Sequence, residues 1–360
     1  MRALLFLLPF ALLAQGPPPR LVSPEVHPDR RVTLRFRAPN AAKVTLNREG
    51  GRPVEMTKDD KGVWSTTTEA LAPDLYGYSF NADGVSLIDP GNPSMKPNLL
   101  NTTSMFHVPS GDASLLWETR DVPRGTVHHH FFRSAICQDQ RDFFVYTPPG
   151  YDPKAKTKYP VLYLLHGFSD DASGWTSVGQ AHVILDNLIA QGKAKPMLVV
   201  MTLGYGTMEV LQNRTAGKKS FDLFGESLLK EVIPTVEKTY RASTNRTHRA
   251  LAGLSMGGAE TLVVGLNHLE TFSQLGAFSS GGIPADFPQT FPNLTAKAND
   301  QLKLLWIACG KDDRLIDANN KFVAFLKERN VKHEYVVTEG AHTWLVWRRS
   351  LSTLAPQLFR

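Results

Sequence analysis

Arg249-Ala250-Leu251-Ala252-Gly253-Leu254-Ser255-Met256-Gly257-Gly258, running on into Ala259-Glu260-Thr261-Leu262-Val263-Val264, is the stretch that decides the fold. Its first four residues are small and mostly apolar, as a strand buried on both faces requires. Its last six read as a helix. Between them Gly-x-Ser-x-Gly turns the chain sharply and holds Ser255 strained, with its hydroxyl exposed. Glycines flank the serine because side chains there would collide with the neighbouring strand and helix. The helix N-terminus that follows favours negative charge, which suits a developing oxyanion. A bare Gly-x-Ser-x-Gly arises by chance, but in this context it makes Ser255 the expected nucleophile.

A serine nucleophile needs a base, and the base needs an orienting carboxylate. On sheets of this kind the order along the chain is nucleophile, acid, histidine, each after a strand. The strand Leu304 to Cys309 is followed by Gly310-Lys311-Asp312-Asp313-Arg314, and His333 to Thr338 by Glu339-Gly340-Ala341-His342. His342 is therefore the expected base; His333 begins a strand and His268 ends a helix, which suits them less. Asp313 is preferred as the acid over Asp312, with Glu339 third, and the adjacent pair is not separated by sequence alone. The oxyanion donors are expected to be the backbone N–H groups of Met256 and of Phe168, which follows the turn Leu165-His166-Gly167. His166, directly after a buried strand, suits a structural role.

Outward from this core, near-continuous apolar runs at Val161 to Leu165, Met197 to Leu203, Ala250 to Gly253 and Leu304 to Cys309 alternate with helical stretches. That rhythm predicts a mostly parallel sheet covered on both faces, and with the turn at Ser255 and the order of acid and histidine after it, an α/β-hydrolase over 126–360. From Pro24 to Pro109 the rhythm is different. Val32, Leu34 and Phe36 alternate with polar residues, as do Tyr76, Tyr78 and Phe80, between turn clusters such as Arg48-Glu49-Gly50-Gly51. This predicts a small all-β, immunoglobulin-sized sandwich over 23–109, without a catalytic cluster of its own, and a linker over 110–125.

Other features bound the function. Residues 1–14, with Arg2 and an apolar run from Ala3 to Ala14, have the layout of a secretory signal peptide, so a secreted or periplasmic protein without a membrane anchor is expected. The charge of +6 comes from scattered basic residues, which argues against a nucleic-acid partner. Cys137 and Cys309 both sit in strand-like runs; a disulfide and two buried thiols both fit. Consecutive residues of a strand alternate faces, so His128-His129-His130 would not converge on one metal ion, and neither metal nor organic cofactor is expected. Asp170-Asp171 reads as a loop-fixing pair, and the long loop Gly204 to Lys219 as a lid over the site. Trp175, Trp344 and Trp347 fit either an aromatic substrate pocket or the core.

With these residues in view, the chain resembles the esterase-D-like group that contains feruloyl esterases (carbohydrate esterase family one), with enterochelin esterases among its relatives by fold. The resemblance rests on Val145 to Tyr151, Leu165-His166-Gly167, Gly174-Trp175, Leu185 to Ile189, the GLSMGG turn at 253–258 and Gly340-Ala341-His342. Residues 23 to 109 resemble the immunoglobulin-like module placed before bacterial feruloyl esterases, akin to family 48 carbohydrate-binding modules, through Arg37 to Ala41, Gly62 to Ser65 and Asp89-Pro90. The resemblance implies a Ser255–His342–Asp313 triad acting on hydroxycinnamoyl esters of plant cell-wall polysaccharide. Trp64 is left as either a sugar platform or part of a core. Siderophore or acetyl-xylan esters are the alternative substrates, and a non-catalytic carbohydrate-binding protein the remote one. Oligomeric state is not legible.

Overall fold

The computed structural model describes residues 21–112 and 114–360, so the expected signal peptide lies outside the described residues. At its centre is an eight-stranded sheet. Its strands are β1 (Thr126–Arg133), β2 (Gln140–Thr147), β3 (Val161–Leu165), β4 (Leu198–Thr202), β5 (Arg249–Leu254), β6 (Gln274–Phe278), β7 (Leu304–Gly310) and β8 (Glu334–Thr338). The spatial order is 1-2-4-3-5-6-7-8. β1 and β2 run antiparallel to their neighbours; from β4 onward every pairing is parallel.

The continuous apolar runs split by alternation between two cores. Val161, Tyr163 and Leu165 pack on one side of the sheet with Val236, Leu262 and Phe322. Leu162 and Leu164 pack on the other with Trp175, Ile184 and Leu351. Sequence periodicity missed β6. Its centre is Gly276-Ala277, kept small because a β-carbon on Gly276 would lie 2.3 Å from Leu354 Cδ2. The helical stretch between β4 and β5 is two helices, Gly217–Ser227 and Ile233–Thr239, joined by a π-turn over Leu228–Val232. Pro234 at the start of the second helix removes one backbone donor from the ladder at that join.

Before this sheet stand two smaller antiparallel ones, four- and six-stranded. They enclose a shared core containing Val32, Leu34, Leu46, Tyr78, Phe80 and Phe106. Trp64 belongs to that core: its side chain is buried and its indole N–H donates to Ala38 O, so the sugar-platform reading does not hold. The segment expected as a linker is packed down. Trp117 is buried beneath Arg348 and Arg349, and Asn187 donates to Leu116 O and Glu118 O.

The helix Trp344–Leu354 lies between the two parts of the chain. Leu345 packs against the N-terminal core, while Trp344, Val346 and Trp347 pack against the large sheet. Arg348 and Asp74, both fully buried, pair at 2.8 Å, and Arg348 also donates to Leu75 O and Val178 O. Removing one member of a buried pair leaves a desolvated charge uncompensated. Asp74→Ala is therefore expected to destabilise the protein by about 3–5 kcal/mol, measurable by urea unfolding. Among the described residues no helix is long and apolar enough to cross a membrane. Cys137 lies in the turn between β1 and β2, not in a strand; Cys309 is buried in β7, and both are free thiols.

Candidate active site

β5 delivers the chain into a turn at Ser255 and the helix Met256–Asn267 begins one residue later. Ser255 has φ +52° and ψ −113°, a conformation side chains other than glycine rarely adopt. Close packing explains the flanking glycines. A β-carbon on Gly253 would sit 2.5 Å from the carbonyl of Gly257, and one on Gly257 would sit 2.5 Å from His166 O.

Three loops at the C-terminal ends of β5, β7 and β8 bring the expected residues together. His342 Nε2 lies 2.9 Å from Ser255 Oγ, and His342 Nδ1 lies 2.8 Å from Asp313 Oδ2 and 3.0 Å from Oδ1. Asp313 is buried and also accepts the N–H of Leu315 at 2.8 Å. Burial works to raise its pKa, but the bonds from His342, Leu315 and Ser279 outweigh it and hold the carboxyl below its usual value. Asp312 is exposed, and Glu339 is an exposed partner of Lys311 at 2.6 Å; neither reaches the histidine.

Phe168 and Met256 line the cleft beside Ser255, with Met256 at the first position of its helix. His166 is buried and holds the turn that carries Phe168. Its Nε2 accepts the N–H of Gly204 at 2.9 Å, which leaves the proton on Nδ1 to donate to Gly167 O at 2.8 Å. Burial lowers its pKa, in keeping with this neutral form. The three histidines of β1 go to separate partners: His128 to Thr147, His129 to Asp142 and His130 to Tyr240.

The cleft over Ser255 has a volume of about 740 Å³. Phe168, Val210, Phe221, Leu254 and Leu315 give it apolar walls, with Lys218, Arg314 and Asp170 among them. The segment expected as a long loop lid is more ordered than that: short 3₁₀ turns over Met208–Leu211 and Arg214–Ala216 lead into the helix from Gly217, and Val210 and Lys218 form a wall. Trp344 and Trp347 border the cleft, the Trp347 ring 4.9 Å from that of His342. Trp175 does not. It is wholly buried, donates its indole N–H to Leu165 O and stacks edge-on against Trp344, so its expected substrate contact is replaced by a core role.

Sequence reading placed nothing functional in the N-terminal half, yet Glu49, Lys96 and Asn98 reach the cleft from there. Glu49 sits in what reads as an ordinary turn, so no local signal marks it. Asp171 fixes its loop by accepting from Ser173 N–H and Oγ–H, and Asp170 accepts from Asn98. Burial pushes the Asp170 carboxyl up to about 7. Because the folded state then holds a proton that the unfolded chain releases near pH 4, Asp170 costs stability as pH rises from about 4 through 7. Asp170→Asn is expected to remove that contribution, so that Tm falls less between pH 4 and pH 7 than in the parent, as read by thermal scans.

The family model named Esterase matches residues 134–358. The chain belongs to the Esterase family. A curated relative of this esterase, an endo-1,4-beta-xylanase/feruloyl esterase of Xylanibacter ruminicola, is 34% identical over 94% of the chain. The chain spans 46% of that relative's length. Among solved structures, a ferulic acid esterase from Anaeromyces mucronatus in complex with ferulic acid matches 67% of the chain and 93% of its own, with a TM-score of 0.60 and 24% identity. The enterobactin esterase of Shigella flexneri matches 91% of the chain and 93% of its own, with a TM-score of 0.69 and 19% identity. Both likenesses show the fold.

Proposed function

We propose that this esterase is a feruloyl esterase that cleaves hydroxycinnamoyl esters of plant polysaccharide through a serine acyl-enzyme. The chain of contacts Ser255–His342–Asp313 carries the reaction. Ser255 Oγ attacks the ester carbonyl while His342 Nε2 takes its proton; Asp313 holds the other ring nitrogen protonated and stabilises the imidazolium. The N–H groups of Met256 and Phe168 bind the tetrahedral oxyanion. His342 then protonates the leaving alcohol, and water repeats the sequence on the acyl-enzyme. None of these steps calls for a metal or an organic cofactor.

The similarity to the xylanase/feruloyl esterase, extending over 94% of the chain, supports the substrate. An apolar cleft with a few charged groups also suits a flat aromatic acyl group with a polar tip. The N-terminal sheets are read as an immunoglobulin-like module resembling family 48 carbohydrate-binding modules, and the protein as exported. A siderophore-type reading is favoured by one observation, that the enterobactin esterase fold matches through the N-terminal sheets as well.

The test compares 4-nitrophenyl ferulate, 4-nitrophenyl acetate and a 2,3-dihydroxybenzoyl-serine ester. The first two share a leaving group, so their kcat/KM ratio reports on the acyl part of the substrate. A ferulate preference of about tenfold or more, roughly 1.4 kcal/mol, is expected. Preference for the dihydroxybenzoyl ester would move the substrate to siderophores.

A further inference from the structure

The loop that carries His342 ends two residues later in the helix Trp344–Leu354, and the start of that helix lacks the usual cap. Thr343 stands at the N-cap, yet its side chain makes no capping bond. The first N–H groups of a helix have no partner within it and need one from elsewhere. Here the partner comes from a residue almost 300 positions away in sequence: Glu49 Oε1 accepts the N–H of Trp344 at 2.8 Å.

Glu49 is itself tightly held. Its Oε2 accepts the N–H of Gly77 at 3.1 Å and lies 3.3 Å from Lys96 Nζ. Gly77 leaves the room this needs, since a β-carbon there would meet Lys96 Cδ at 3.0 Å and Glu49 Oε2 at 3.2 Å. The next residue, Gly50, has φ +71° and passes so close to the helix that a β-carbon would lie 3.1 Å from Leu345 Cδ1. Burial alone would raise the carboxyl's pKa, but Lys96, Arg348 and the two backbone N–H groups outweigh it and keep it ionised. An anion at a helix N-terminus is also favoured by the dipole.

On this geometry we propose that Glu49 is a positioning residue for His342: supplied by the N-terminal sheets, it fixes the start of the helix to which the histidine loop is attached. The N-terminal part then serves the catalytic geometry directly. The proposal rests on the Ser255–His342 reading given above. Glu49 acts on the base through backbone, without touching the reacting atoms. Displacement of a catalytic group by about 1 Å costs on the order of 10²-fold in rate, which sets the scale of the expected effect.

The experiment compares Glu49→Gln with Glu49→Met in the full chain. Both remove the charge and nearly preserve the volume, but only Gln can still accept the Trp344 N–H. With 4-nitrophenyl ferulate, Glu49→Met is expected to lose about 10–100-fold in kcat, with KM within about threefold, and Glu49→Gln to recover most of that loss. The downfield NMR signal of the His342 Nδ1 proton should broaden or shift in the Met variant and persist in the Gln variant. A fluorophosphonate probe of the serine counts folded sites, and Glu49→Ala replaces the Met variant if that one does not fold. Equal kcat for the Gln and non-accepting variants, per labelled site, would overturn the proposal. If Ser255→Ala is inactive while that equality holds, only the positioning role fails and the serine mechanism stands.

Discussion

Ser255→Ala is expected to lower kcat on ferulate esters by about 10⁵–10⁶-fold, with little change in stability. The size follows from what the hydroxyl does. Without Oγ no acyl-enzyme forms, and His342 has no nucleophile to deprotonate. The oxyanion donors and the cleft stay in place, so a residual rate some 10³–10⁴-fold over water is expected to survive. Steady-state assays with the purified variant check this, alongside a thermal scan showing that the fold is intact. Retention of more than about one per cent of the parent activity would contradict the assignment, because a serine outside the mechanism is the simplest cause of such retention.

Asp313→Asn is the second large effect, about 10⁴-fold in kcat, while Asp312→Asn is expected to stay within about twofold. Asp313 accepts from His342 Nδ1 and from the Leu315 N–H, both in a buried setting. An amide in its place can present N–H to the ring nitrogen, which favours the tautomer that cannot receive the Ser255 proton. Asp312, one residue earlier, is exposed and donates its backbone N–H to Gly340 O. The two variants differ by one position and should separate by roughly four orders of magnitude.

Much of the catalytic half was legible because its chemistry is written in contiguous residues. A strand, a strained serine and a helix must follow one another directly, so the turn at Ser255 could be read without knowing the rest of the fold. Asp313 and His342 follow strands in a fixed order, and that order narrowed the search; choosing between Asp312 and Asp313 required burial, which sequence does not report. Other features escaped for identifiable reasons. β6 escaped because its centre, Gly276-Ala277, is small where Leu354 packs over Gly276, which breaks the apolar run between Leu275 and Phe278. The tryptophans could not be sorted between cleft and core, since the same side chain serves both, and the structure puts Trp175 wholly inside. Glu49, Lys96 and Asn98 were invisible as site residues because their partners, Trp344 for Glu49, Glu49 for Lys96 and Asp170 for Asn98, lie on elements brought together only by the packed fold.

The most direct test of the central claim is to trap the intermediate. Enzyme mixed with 4-nitrophenyl ferulate and quenched in acid within the first turnovers should gain the mass of one feruloyl group. Peptide mapping should place that group on Ser255, and the Ser255→Ala protein should carry none. An adduct on another residue, or full turnover with no adduct at any quench time together with no pre-steady-state burst of nitrophenolate, would contradict the serine acyl-enzyme account.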